Sequence, residues 1–306
     1  MVRFILQRLI DGLIAIWGVV TIVFVISRLL GDPAVLLLPI GASEEHLKAL
    51  RTSLGLDRPI LEQYVTYVFG ILRGDFGQSF QYMRPAFEVV LERLPATAML
   101  AGSALVIGVV LGGIAGSLAA LYRGTVIEAV VMLLALLGQA TPTFWLGLLL
   151  ILVFAVDLGW LPTGGLTGPE SLVLPAITLG VFTTASIARL LRSDLLDVMK
   201  EDFVRTARAK GLKPTAIYVW HMLRNALIPV VTMIGILTGE LLGGSVVTET
   251  IFSWPGVGRV IVQAMEGKDF PVVQAGVLMI ATTFVLVNII VDMLYGLLDP
   301  RIRHRR

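Results

Sequence analysis

The chain has 306 residues, of which 56% are hydrophobic and only 15% charged, with a mean hydropathy of +0.87. A water-soluble domain carries about 25% charged residues, so this balance excludes a soluble globular protein and points to a polytopic membrane protein. A net charge of +2 gives no electrostatic footprint for nucleic acid, and the absence of cysteine excludes disulfides, thiolate metal sites and cysteine nucleophiles.

A helix needs about 20 mostly apolar residues to cross a bilayer. Six stretches meet that requirement: 9–30, 96–121, 128–156, 172–192, 227–248 and 273–297. In the first, Arg3 and Arg8 precede the apolar run Gly12 to Ile26 and no A-x-A type cleavage site follows, so it reads as an uncleaved transmembrane helix. Asp11 and Arg28 lie near its ends, where a long basic side chain can reach the interface.

Residues 31–95 form a polar insertion. Pro59 opens a helix expected to reach about Arg73, with Leu61, Tyr64, Val65, Val68 and Leu72 on one face, and Pro85 opens another. The insertion is too small for a large core of its own, so it is expected to pack on the membrane portion or a partner.

The second membrane helix carries small residues at every fourth position: Ala104, Gly108, Gly112, Gly116 and Ala120. The fifth repeats the pattern at Gly235, Gly239 and Gly243. Such stripes let helix backbones approach closely, as static packing or as a seam that slides during transport. The third helix contains "GQATPTFW", Gly138 to Trp145, and Pro142 is expected to kink it. Gln139, Thr141 and Thr143 either repair the freed carbonyls or line a passage.

Between the fourth and fifth helices, 193–226 is long and poor in glycine and serine. Phe203 to Gly211 reads as a short helix with Val204, Ala207 and Gly211 near one face and Arg205, Arg208 and Lys210 around it. Gly211 suits its C-terminus, and Pro214 suits the first turn of a second helix running toward Asn225. Physical chemistry leaves two readings: a basic helix anchored on lipid headgroups, or a contact surface for another protein.

With six spans both termini share a side. The terminal segments and the loops 122–127 and 189–226 then hold 15 of the 24 lysines and arginines. This places both termini in the cytoplasm and residues 31–95 outside.

Three activities make distinct demands on such a sequence. ATP hydrolysis needs a phosphate loop, yet the only Gly-Lys pair, Gly267-Lys268, is followed by Asp269. An intramembrane serine protease would draw on Gly243-Gly244-Ser245, but no histidine is placed to act as its base. An ion-coupled carrier would use Glu240, Asp292 and Asn288, a thin relay. Glu240 facing a water-filled cavity or a neighbouring helix is the alternative.

"RTARAKGL", Arg205 to Leu212, is similar to the EAA loop of binding-protein-dependent ABC importers, with Arg205-Thr206-Ala207 and Gly211 in its places and arginine for the leading glutamate. That departure, and "RNALIP" at 224–229, resemble the dipeptide/oligopeptide branch. So do "GDP" at 31–33, "LGLDRP" at 54–59, "RGDFGQS" at 73–79, "RLPAT" at 93–97, "GWLPTGG" at 159–165, "GGSVVTETIFSWPGVGR" at 243–259, "DFPVVQ" at 269–274 and "LLDPRIR" at 297–303. The insertion resembles the first-named permease of the pair.

The resemblance implies an all-α membrane fold of six transmembrane helices, the type I importer permease fold, in the prokaryotic inner membrane. Its parts would be the first helix at 1–30, an extracytoplasmic insertion at 31–95, a permease core at 96–297 with its coupling loop at 193–226, and a basic tail at 298–306. It implies a second homologous permease, two ATP-binding subunits, an external substrate-binding protein and a lipid bilayer as partners. ATP and Mg would be used by the ATPases and no cofactor held by this chain. Arg205, Thr206, Ala207, Arg208, Ala209, Lys210 and Gly211 would form the ATPase-coupling loop, with Gly211 allowing a tight turn and Ala207 a close approach. Gln139, Thr141, Thr143 and Glu240 would lie along the pathway, and 31–95 and 249–272 would receive the binding protein. The implied cargo is peptide, with nickel or glutathione as the alternatives.

Overall fold

The structure, a computed structural model, describes residues 2–29, 35, 43–53 and 55–298. The "GDP" string at 31–33 and the basic tail beyond 298 lie outside the described residues. Among those residues the chain is helical, with one isolated bridge between Gln78 and Pro85. Five helices are long and apolar enough to cross a membrane, or six when one bent pair counts as a span.

In chain order the helices are α1 (Val2–Leu29), α2 (Glu44–Ser53), α3 (Ile60–Leu72), α4 (Ala86–Leu91), α5 (Leu94–Leu121), α6 (Val126–Ala140) and α7 (Thr143–Leu150). They continue with α8 (Val173–Val198), α9 (Asp202–Ala209), α10 (Arg224–Ile251), α11 (Val257–Glu266) and α12 (Phe270–Leu298). The chain divides into two compact units, one built from 98–254 and the chain beyond 286, the other from 2–97 and 255–286.

In the first unit α8 is the central post, more deeply buried than the other candidate spans. The small stripe of α5 is what lets it lie against α8. A methyl group at Gly112 would sit 2.8 Å from the Thr184 carbonyl oxygen, and one at Gly116 2.6 Å from that of Ala188. Both distances are far inside van der Waals contact, so the two backbones pack at a separation only glycine permits. In α10 the stripe is divided: Gly235 and Gly239 are buried, while Gly243 opens onto empty space.

The third predicted span is not one kinked helix. α6 ends at Ala140, and the chain restarts as α7 and a π-helical segment, Ile151–Asp157, at 105° to it. Pro142 disfavours the helical region for the residue before it, and Thr141 is indeed extended, at φ −77° and ψ 124°. Thr141 returns its hydroxyl to the Leu137 carbonyl at 2.7 Å, a partner for the broken end of α6.

The separate second helix expected from Pro214 toward Asn225 is also corrected. Pro214–Ala216, the π-helical segment Ile217–Leu223 and α10 form one continuous helix. Its buried residues there are Ile217, Met222, Ala226 and Val230. The first step is five residues and the others four, and a π turn is what keeps a five-residue step on one face.

In the second unit α4, α11 and the start of α12 share a core of Ala86, Val90, Val257, Val260, Ala264 and Val272. Polar pins fix its edges. The Val257 backbone N–H donates to Thr97 Oγ1 at 2.9 Å. Ser79 donates to the buried carboxylate of Asp269 at 2.5 Å, joined by the Gln81 backbone N–H at 3.1 Å.

Candidate functional site: the basic helix and an adjoining cleft

α9 begins after Glu201, whose backbone is extended, and presents two kinds of surface. Val204 and Ala207 are 0% and 4% exposed. They sit in the chain's own core with Leu191 and Leu195 from the end of α8 and with Ile217 and Met222. The opposite side is open to solvent. Arg205 has a side chain 72% exposed, and it reaches back to Asp202 at 3.3 Å. Thr206, Arg208, Ala209 and Lys210 are exposed beside it.

The helix ends in a Schellman turn. The Leu212 N–H donates to the Ala207 carbonyl at 3.3 Å, and the Gly211 N–H to that of Arg208 at 2.9 Å. Gly211 takes the left-handed conformation this closure requires, at φ +72°. A side chain there would cost on the order of 1–2 kcal/mol in backbone strain. Lys213 is then extended and Pro214 opens the next helix.

The expectation for Ala207 is corrected here. The resemblance implies Ala207 at the close approach to an ATPase. Ala207 is instead buried in the chain's own core with residues of α8 and the following helix. The open face is made by Asp202, Arg205, Thr206 and Ala209, flanked by Phe203, Arg208 and Lys210.

The four pathway residues do not gather at one place. Gln139 lines a cleft of about 440 Å³ between α6, α8 and α10, with Ser186, Arg189, Arg192, Ser193 and Met233 among its walls. Its side-chain carbonyl accepts a hydrogen bond from Arg189. Of the four, only Gln139 lines this cleft. Thr141 is engaged in its own turn, Thr143 is half-buried at the first turn of α7, and Glu240 is exposed on α10. Arg192 is fixed differently: its Nε donates to Glu128 at 2.8 Å, and Glu128 also accepts from the Gly124 backbone at 2.6 Å. The sequence carried no signal for these two pairings, which join residues 50 and 64 positions apart. Ser245, the serine a protease would draw on, is buried and donates to the Leu242 carbonyl at 3.0 Å, the behaviour of a hydroxyl inside a helix.

Residues 96–304 match the family described as "Binding-protein-dependent transport system inner membrane component", and residues 1–101 match its companion N-terminal family. The chain belongs to this family. It is therefore a multi-pass inner-membrane component of a binding-protein-dependent transporter. Among curated relatives, it is 42% identical to the Di/tripeptide transport system permease protein DppB of Pseudomonas aeruginosa, over the whole of both chains. It is 40% identical to the Glutathione transport system permease protein GsiC of Escherichia coli K12, again over the whole of both. Among solved structures, an inward-facing MetNI methionine ABC transporter chain superposes with a TM-score of 0.60 at 20% identity, covering 69% of this chain and 96% of that one. A chain of an amino acid ABC transporter with histidines gives 0.53 at 18% identity, covering 70% and 94%. Both show the fold: the type I ABC importer permease architecture anticipated from the sequence.

Proposed function

We propose that this chain is the membrane-spanning permease of an ATP-driven importer, moving peptides handed to it by an external binding protein, with α9 as the joint to the ATPases. The observation that carries the joint is the two-sided construction of α9. Its buried side is packed on the inner ends of α8 and the helix that becomes α10, so a push on its open side moves two membrane helices together. A close-packed core transmits displacement instead of absorbing it. The open side offers Arg205, Arg208 and Lys210, suited to an acidic groove on a partner.

In this reading the partners are a second homologous permease, two ATP-binding subunits that use ATP and Mg, and the external binding protein. Both termini are cytoplasmic, and the parts of the chain divide at 1–30, 31–95, 96–297 and 298–306. Arg205, Thr206, Arg208, Ala209 and Lys210 touch the ATPase, while Ala207 and Gly211 hold the loop in shape. Gln139 and Glu240 belong to the pathway; Thr141 shapes the bend beside it and Thr143 starts α7. The two full-length relatives at 40% and 42% identity, named for glutathione and for di/tripeptides, support a peptide cargo.

Reconstitution tests the proposal. With the second permease, the ATPases and the binding protein present, ATP should drive accumulation of a labelled di- or tripeptide. Uptake driven by a proton gradient with the ATPases absent would replace this reading with an ion-coupled carrier.

A further inference from the structure

α3 belongs to the insertion that the charge distribution places outside and that is expected to pack on the membrane portion or a partner, and it lies against α1 short of that helix's end. Tyr64 shares a hydrogen bond with Thr21 at 2.8 Å. Tyr64 and Tyr67 both pack on Phe24, with ring centroids 5.3 and 5.5 Å away. Thr21 and Phe24 precede Leu29 by eight and five residues, about 12 and 8 Å along the axis at ~1.5 Å per residue. The α1 span, Leu6–Leu29, is 24 residues. That is about 36 Å, against a hydrocarbon core of about 30 Å. Centred, it extends beyond the core by only about 3 Å at each end. Charges lie near both ends, Arg8 and Asp11 at one and Arg28 at the other, which favours the centred position, and Arg28 reaches back over the Phe24 ring at 5.3 Å.

α3 itself has three faces. Tyr64 and Tyr67 turn to α1. Glu62 and Thr66, with Arg73 just past the helix, are exposed on a second side. On a third, next to the α1 contact, Leu61, Val65, Phe69 and Leu72 are 70%, 44%, 56% and 75% exposed. α1 likewise carries exposed apolar side chains over the same stretch, where Ile22, Val25 and Leu29 are 58%, 46% and 79% exposed. Four large apolar side chains at helical spacing cannot stay in water at this level of a membrane helix, and the polar arc adjoining them keeps the helix from burying completely.

We propose that α3 is an interfacial helix seated in the bilayer, with Leu61, Val65, Phe69 and Leu72 among lipid acyl chains and Glu62 and Thr66 toward the headgroups. The occupant of this face is lipid. The leaflet is the extracytoplasmic one if the orientation proposed above holds; the depth of the helix does not depend on it.

The chain has no cysteine, so single cysteines can be introduced directly. Leu61→Cys, Val65→Cys, Phe69→Cys, Leu72→Cys, Glu62→Cys and Thr66→Cys would be spin-labelled in the assembled transporter in proteoliposomes. Collision with oxygen and with a water-soluble nickel chelate would then be compared. The four apolar positions should show an oxygen-to-chelate ratio several-fold above that of the two polar ones. Equal chelate access at all six would overturn the proposal by placing the face in water. Low access to both reagents at the four would overturn it by placing the face against protein, a neighbouring permease or the binding protein. An inverted topology would keep the oxygen pattern but make Glu62→Cys reachable only by chelate sealed inside the vesicle. That separates failure of the orientation from failure of the depth.

Discussion

α9 and the α4–α11 block are both short amphipathic elements fixed to a longer helix by a small apolar core, but they are fixed by different chemistry. Val204 and Ala207 hold α9 by shape alone, and its polar groups all face out. The other block adds buried polar pins: Ser79 and the Gln81 N–H on Asp269, and the Val257 N–H on Thr97. A buried carboxylate tolerates no change of register, because its donors would be left without a partner. A shape-held helix has no such penalty on small displacements, and its exposed charges remain accessible to another protein. One arrangement suits a fixed element, the other a joint.

Four substitutions sharpen or break that contrast, ordered by their expected effect on stability. Leu195→Ala removes a fully buried side chain from the core under α9. The expected loss is about 2–5 kcal/mol, read as a lower unfolding temperature in detergent. A loss under 1 kcal/mol would mean that this core does not hold α9. Asp269→Ala leaves Ser79 and the Gln81 N–H unsatisfied and is expected to cost about 2–3 kcal/mol by the same assay, with Asp269→Asn recovering part of it. An unchanged melting point would deny the pin its role. Gly211→Val forces a β-branched residue to φ +72° and is expected to cost about 1–2 kcal/mol. Its uptake should nevertheless vanish while the protein still inserts, since the turn behind the joint is deformed; normal transport by this variant would count against α9 as the joint. Arg205→Gln should leave the melting point where it is, because the side chain is exposed, and lower ATP-driven uptake several-fold. Equal uptake would remove Arg205 from the contact.

What the sequence revealed follows from which interactions are local. The stripe Gly108, Gly112, Gly116 was readable because a helix repeats nearly every fourth residue, and its close packing on α8 is what the glycines are for. Gly211 was readable because a left-handed turn after a short helix is a local demand. Pro142 announced a kink and not a break, since a missing N–H does not specify 105°. The placement of Ala207 was ambiguous in principle. An alanine face fits a partner's groove or the chain's own interior equally well, and only Leu195 and Met222 arriving from elsewhere decide between them. Asp269 with Ser79, 190 residues apart, and Arg189 with Gln139 are pairings of distant segments that leave no periodic trace. The depth of α3 was hidden for a related reason. Its composition is mixed, and its level in the membrane is set by Thr21 and Phe24 of another helix.

The division of α9 into a buried and an open side can be measured directly. Arg205→Cys, Ala209→Cys, Val204→Cys and Ala207→Cys would each be introduced alone into this cysteine-free chain and assembled with the ATPase subunits. A short bifunctional thiol–amine cross-linker would then be added. Cross-linking to the ATPase is expected from positions 205 and 209 and not from 204 and 207. Efficient cross-linking from 207, or none from 205 and 209 in a complex that still transports, would contradict the two-sided joint.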